Sequence, residues 1–210
     1  MPHPYHWDKD KHARHRFLDI AVPISLLLIF YFFYNKGVVS PSEAIKTTGL
    51  WGISLLALTL AIGPLSRIQP IFEHLKAHRK VWGITSFWAI LIHMLLVFNF
   101  YWKLDLSRLW DIENPRYLGT VTGLLAVLIL ALVTFTSQEN MIKKMNPKMW
   151  KIIQTTSYLA LALAVLHFYY MEQQNGVLVI KRIFGQFAFW GAIVVLVLRL
   201  LVIFLPKRKV

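Results

Sequence analysis

Two histidines, His93 and His167, sit inside long apolar runs, in the stretches LIHMLLVF (residues 91–98) and VLHFYY (residues 165–170). An imidazole has two ring nitrogens that need partners and hydrocarbon offers none, so a histidine in such a run is expected to serve something inside the protein. The other six, His3, His6, His12, His15, His74 and His78, fall in polar segments. His93 lies 13 residues past Lys80 and His167 lies 16 past Lys151. At 1.5 Å per helical residue these are rises of about 20 and about 24 Å. Two imidazoles at matched depth on helices running in the same direction are what a bis-histidine haem needs. The porphyrin enters edgewise, each helix gives the iron one nitrogen, and no open position is left, which suits electron transfer rather than oxygen activation. The bland alternative is that each ring only hydrogen-bonds a neighbouring helix. No third ligand is visible for another kind of metal site. The chain has no cysteine, which excludes disulfides, iron–sulfur ligation, thiolate haem ligation and covalent haem attachment.

The elements that must hold these rings are apolar helices. Of the 210 residues 57% are hydrophobic and 16% charged, against about a quarter charged in a soluble domain. Six runs of bilayer-spanning length are predicted at about 17–34, 47–65, 81–101, 117–136, 152–170 and 184–205. The expected fold is therefore all-α, a polytopic six-helix transmembrane bundle over 17–205, with an N-terminal segment 1–16 and a tail 206–210. The first run is longer than a signal-peptide core and no A-x-A-like site follows it. No internal repeat stands out.

The net charge of +13 would suggest nucleic acid in a soluble protein, but here the basic residues lie in short loops between apolar runs. The N-terminal segment, the loops after spans two and four and the tail hold fifteen Lys and Arg; the opposite loops hold seven. The richer side is expected to be cytoplasmic, with both termini inside and the loop 102–116 outside. Spans three and five then both run outward, and His93 and His167 fall in the outer half of the membrane.

Other residues admit a role beside an ordinary explanation. His78 and Arg79 stand at the cytoplasmic mouth of span three, where either could face an inner cofactor or simply follow the positive-inside rule. Arg79 suits a propionate or flavin phosphate. Arg199 either snorkels to the interface or marks a polar inner cavity for a quinone or flavin. Gly83 and Gly123 are small residues of the kind that let helices or a planar cofactor come close. The N-terminal histidines could collect a metal ion, although their segment reads as solvated.

Several segments, in order, resemble the MsrQ (YedZ) family of the ferric-reductase-like transmembrane superfamily. Thr48-Gly49-Leu50-Trp51 opens span two, which closes on Gly63-Pro64-Leu65. Arg79-Lys80-Val81-Trp82-Gly83 precedes His93 by the family's spacing. Thr134-Phe135-Thr136-Ser137 ends span four, and Trp150, Tyr158 and Leu166-His167-Phe168-Tyr169 follow. The match covers roughly residues 45–170. The resemblance implies a haem b subunit of the bacterial inner membrane that passes electrons to MsrP, a periplasmic molybdopterin enzyme reducing methionine sulfoxide. It implies quinone or a cytoplasmic flavin reductase as donor. One departure is clear: where the family has a histidine four residues after the tryptophan, this chain has Gln154. That histidine commonly serves a second, inner haem in the superfamily, so one haem is expected here, with FMN or quinone in the vacated space near Arg79 and Arg199; the alternative is a weak second haem recruited by His78. Gln154 and His167, 13 residues apart, also differ by about 140° on an ideal helix. Two rivals remain: a ferric-reductase-like protein with another external acceptor, and a haem-free transporter or assembly factor.

Overall fold

A computed structural model describes residues 9–204, with side chains described from Phe17 onward. The N-terminal histidines' side chains and the basic tail lie outside the described residues. Helix α1 (Lys9–Ile29) continues through a π-helical turn, Phe30–Tyr34. Helix α2 (Pro41–Ile68) is followed by the 3₁₀ segment Pro70–His78, and α3 (Arg79–Leu96) by a second π-helical turn, Val97–Tyr101. After α4 (Tyr117–Thr136) come α5 (Glu139–Lys144), α6 (Pro147–Thr155), α7 (Ser157–Glu172) and α8 (Ile183–Phe204). Between α7 and α8 the chain forms a two-stranded hairpin, Gln173–Gln174 with Val177–Leu178, closed by Asn175-Gly176, a pair suited to a tight turn with positive φ.

Six helical segments among the described residues are long and apolar enough to cross a membrane. The first and fourth, Phe17–Tyr34 and Tyr117–Thr136, coincide with the sequence expectation. The second and fifth start earlier than hydropathy alone predicts, because caps set them. The Ser40 hydroxyl accepts from the Glu43 N–H ahead of Pro41, and the Asn146 side chain accepts from the Lys148 N–H ahead of Pro147.

Helix α2 is the most enclosed span, packed by α1, α3, α7 and α8, and its Leu50, Ile53, Leu56 and Leu60 form much of the core. Because lipid is as apolar as a leucine, specific polar contacts help to fix how the helices meet. The Trp51 indole N–H donates to the Pro23 carbonyl and the Trp82 indole N–H to Leu18, tying α1 to α2 and α3. The Ser86 hydroxyl donates to Gly52 and the Tyr158 hydroxyl to Leu60, tying α3 and α7 to α2. The α1 start, the 3₁₀ segment and the α8 end share one end of the bundle, here the terminal end. The loops 35–40, 102–116 and 173–182 share the other, the distal end. There Arg182 makes a two-pronged bridge to Glu43, at 2.7 and 3.1 Å, and its guanidinium lies 4.4 Å from the Tyr34 ring centre.

Candidate functional site

His93 lies in the last turn of α3, just before the π-helical turn, where the Val97 N–H is shared between the carbonyls of His93 and Met94. His167 lies five residues before the end of α7. The two imidazoles stand together near the distal end, centroids 6.1 Å apart and planes at 82°. The Nδ1 of His93 is 2.8 Å from the Ile45 carbonyl on α2, and the Nδ1 of His167 is 2.8 Å from the Gly119 carbonyl on α4. A carbonyl only accepts, so both Nδ1 atoms carry the hydrogen and each Nε2 keeps its lone pair. Among the described residues neither Nε2 has a hydrogen-bond partner. Two metal–imidazole bonds of about 2 Å each, plus ring radii of about 1 Å, span roughly 6 Å. The observed separation therefore suits one metal ion between two neutral imidazoles whose outer N–H groups fix their orientation.

A glycine stands opposite each ring. A Cβ added to Gly49 would lie 3.0 Å from the His93 Nδ1, and one added to Gly123 would lie 2.6 Å from the His167 Nδ1. Each glycine comes four residues after the carbonyl its histidine uses. Each is preceded by a threonine, Thr48 or Thr122, whose hydroxyl reaches the same carbonyl, at 3.1 Å for Ile45 and 2.9 Å for Gly119. Positions 45, 48, 49 and 93 thus recur at 119, 122, 123 and 167, a constant offset of 74 residues.

The expectation of no internal repeat is corrected here: the hairpin of α2 and α3 and the pair α4 and α7 are parallel copies of one arrangement. The repeat is faint in sequence, because lipid-facing positions interchange Leu, Ile, Val and Phe freely. It persists in Thr-Gly-Leu at 48–50 and 122–124, in Leu-Ala-Leu at 56–58 and 130–132, and in the two histidines. The paired Thr-Gly-Leu was the signal that could have marked Gly49 and Gly123 as the walls of one site.

The residues singled out for an inner site divide into two groups. Arg79 and Arg199 converge on Tyr158. The Arg199 guanidinium lies 4.9 Å from the Tyr158 ring centre. A Cβ built on Gly63 would touch both the Tyr158 hydroxyl, at 3.2 Å, and Arg79 Nη1, at 3.8 Å. Among the described residues the buried Arg79 Nε has no hydrogen-bond partner.

His78 and Gln154 do not join them. His78 is 1% exposed, its Nδ1 2.8 Å from Asp19 on α1 and its ring stacked on Trp82. The Gln154 amide nitrogen donates to the Val133 carbonyl and to the hydroxyls of Thr136 and Ser137, closing the end of α4. The fifth span is interrupted at Thr156, between α6 and α7. Gln154 and His167 both face α4, Gln154 at its terminal end and His167 at its distal end. By the 74-residue offset the partner of Gln154 is Lys80, an exposed side chain, so neither copy carries a histidine at this register, and His78 nearby is turned to Asp19.

The family model described as ferric reductase like transmembrane component matches residues 48–165, more than half of the chain. The chain belongs to this family. Within the ferric reductase-like family it is similar to the protein-methionine-sulfoxide reductase heme-binding subunit MsrQ of Herminiimonas arsenicoxydans. The two are 28% identical over 183 residues, which is 87% of this chain and 80% of the relative. The MsrQ of Rhodospirillum rubrum is 27% identical over 80% of each protein. The magnetosome protein MamZ of Magnetospirillum gryphiswaldense is 31% identical over 121 residues. That match takes in 57% of this chain and only 18% of the relative's length.

Proposed function

We propose that this chain is a haem b electron-transfer subunit whose single haem is held between His93 and His167. The observation that carries the reading is the pair of imidazoles 6.1 Å apart, each with Nδ1 engaged by a carbonyl and Nε2 open. Haem supplies a one-electron carrier that bis-histidine ligation closes to other ligands. The chain's own part is to orient the two rings through Ile45 and Gly119, to keep both neutral, and to surround them with apolar helices. The similarity to MsrQ proteins supports a place in a methionine sulfoxide reductase system. In this reading the membrane is the bacterial inner membrane, both termini are cytoplasmic, and the distal end faces an MsrP-like periplasmic molybdopterin subunit. The donor is quinone or a cytoplasmic flavin reductase. The cluster of Arg79, Arg199 and Tyr158 favours an anionic or carbonyl-bearing group at the terminal end, such as the phosphate of FMN or a quinone.

The test is haem per polypeptide in the purified protein, with a reduced-minus-oxidised spectrum. One haem b with a low-spin signature is expected, and its near-perpendicular ligand planes should make the ferric low-spin resonance strongly anisotropic. A protein purified without haem would favour the transporter or assembly-factor reading. A haem protein that reduces an iron chelate outside the cell but no molybdopterin subunit would favour the ferric-reductase reading, in line with the family's name. Reporter fusions that put the C-terminus outside would reverse the orientation.

A further inference from the structure

The haem reading accounts for the two histidines but not for the threonines beside them. A carbonyl oxygen inside a helix already accepts the N–H four residues on. The Ile45 and Gly119 carbonyls each receive two further donors: a histidine Nδ1–H at 2.8 Å and a threonine hydroxyl, Thr48 at 3.1 Å or Thr122 at 2.9 Å. Each hydroxyl also reaches the carbonyl one residue earlier, Ala44 or Leu118, at 2.8 Å in both cases. One hydroxyl hydrogen is thus shared between two carbonyls, and one of those is the carbonyl that holds the imidazole. The arrangement occurs twice at the same register, although most of the surrounding side chains differ.

We infer that Thr48 and Thr122 are a matched pair of positioning residues that set how strongly His93 and His167 donate to the iron between them. The inference rests on the haem reading above. Electron density that a carbonyl gives to a threonine O–H is not available to the imidazole N–H. Removing the hydroxyl strengthens the Nδ1–H···O bond and gives the ring more imidazolate character. The Nε2 then becomes a better donor, which favours ferric over ferrous iron. The threonines therefore hold the midpoint potential up, and each copy acts on its own side of the same metal.

The experiment is a redox titration of the full-length haem protein carrying Thr48→Val, Thr122→Val, both together, and Thr→Ser at each position. Valine keeps the shape and loses the hydroxyl; serine keeps the hydroxyl. The expected result is a more negative midpoint potential in each valine variant, larger for Thr122→Val because its hydroxyl is closer, and roughly additive in the double variant. The serine variants should remain at the parent value. The g-anisotropy of the ferric low-spin signal should shift in the same variants, which a merely structural threonine would not cause. If a valine variant does not accumulate, Thr→Ala at the same position replaces it, with the same shift expected. Unchanged potential and resonance with full haem would overturn the threonine proposal while leaving the haem reading intact. A parent without haem, or haem retained in both His93→Ala and His167→Ala, would instead overturn the reading beneath it.

Discussion

The distal half of the bundle and its terminal half use the same helices in opposite ways. At the distal end α2 with α3, and α4 with α7, carry the same carbonyl, threonine, glycine and histidine in the same register, and the two copies meet ring to ring. At the terminal end the same register holds Lys80 and Gln154, one exposed and the other engaged by the end of α4. Arg79, Arg199 and Tyr158 gather there without a counterpart in the other copy. The difference teaches that the repeated register coincides with the place where the two imidazoles face each other. At the terminal end, where no such pair meets, each copy spends its polar side chains locally.

The comparison can be broken most severely at the histidines. His93→Ala and His167→Ala should each abolish the low-spin haem signal, read as haem per chain and as the reduced-minus-oxidised spectrum. A normal spectrum at full occupancy in either variant would show that the two copies do not serve one iron.

The next effect falls on the glycines, and it should be unequal. An added methyl at Gly123 would stand 2.6 Å from the imidazole and at Gly49 3.0 Å. Overpacking of this kind costs about 1–3 kcal/mol, and about 1.4 kcal/mol is tenfold in affinity. Gly123→Ala should therefore weaken haem retention by roughly tenfold or more, with Gly49→Ala milder. Haem loss to apomyoglobin measures both, and equal retention in both variants would show that the rings are not confined as described.

At the terminal end, Gln154→His should leave the haem count at one, because Lys80 stands at the matching position of the other copy. It should also lower thermal stability in detergent by about 1–3 kcal/mol, because the end of α4 would no longer receive the hydrogen bonds of the Gln154 amide. Two haems per chain in the parent, falling to one in His78→Ala, would remove the contrast between the halves.

The smallest effect is expected at the distal clamp. The Arg182–Glu43 bridge is partly solvent-exposed, so Arg182→Gln should cost about 1 kcal/mol or less. The haem spectrum should not move, since Ile45 is held by its own helix. A displaced spectrum would mean that the clamp, and not the repeated helix register, sets the imidazole.

The six spans and the pairing of His93 with His167 were legible because each depends on a one-dimensional quantity. Apolar run length sets a span, and residue count along a helix sets depth. The family resemblance was legible in short motifs for a similar reason, since their order survives substitution of the lipid-facing residues between them. The starts of α2 and α6 were less so, because Ser40 and Asn146 extend those helices beyond the hydropathic run.

Rotation about the helix axes was not legible, and the inner site depended on it. Counting along the chain put His78, Arg79, Gln154 and Arg199 at comparable depth. Packing then turned His78 toward Asp19 on α1 and Gln154 toward α4, and brought only Arg79 and Arg199 to Tyr158. What Gly49 and Gly123 stand against was hidden for the same reason, although Gly123 was legible as a place of close approach, since a small residue in an apolar helix matters only for what lies across from it. The sequence by itself determined how many spans there are and that the two histidines stand at matched height along them. The tertiary structure decided which side chains face one another, because in lipid close packing and a few interhelical hydrogen bonds set the angle at which each helix is turned.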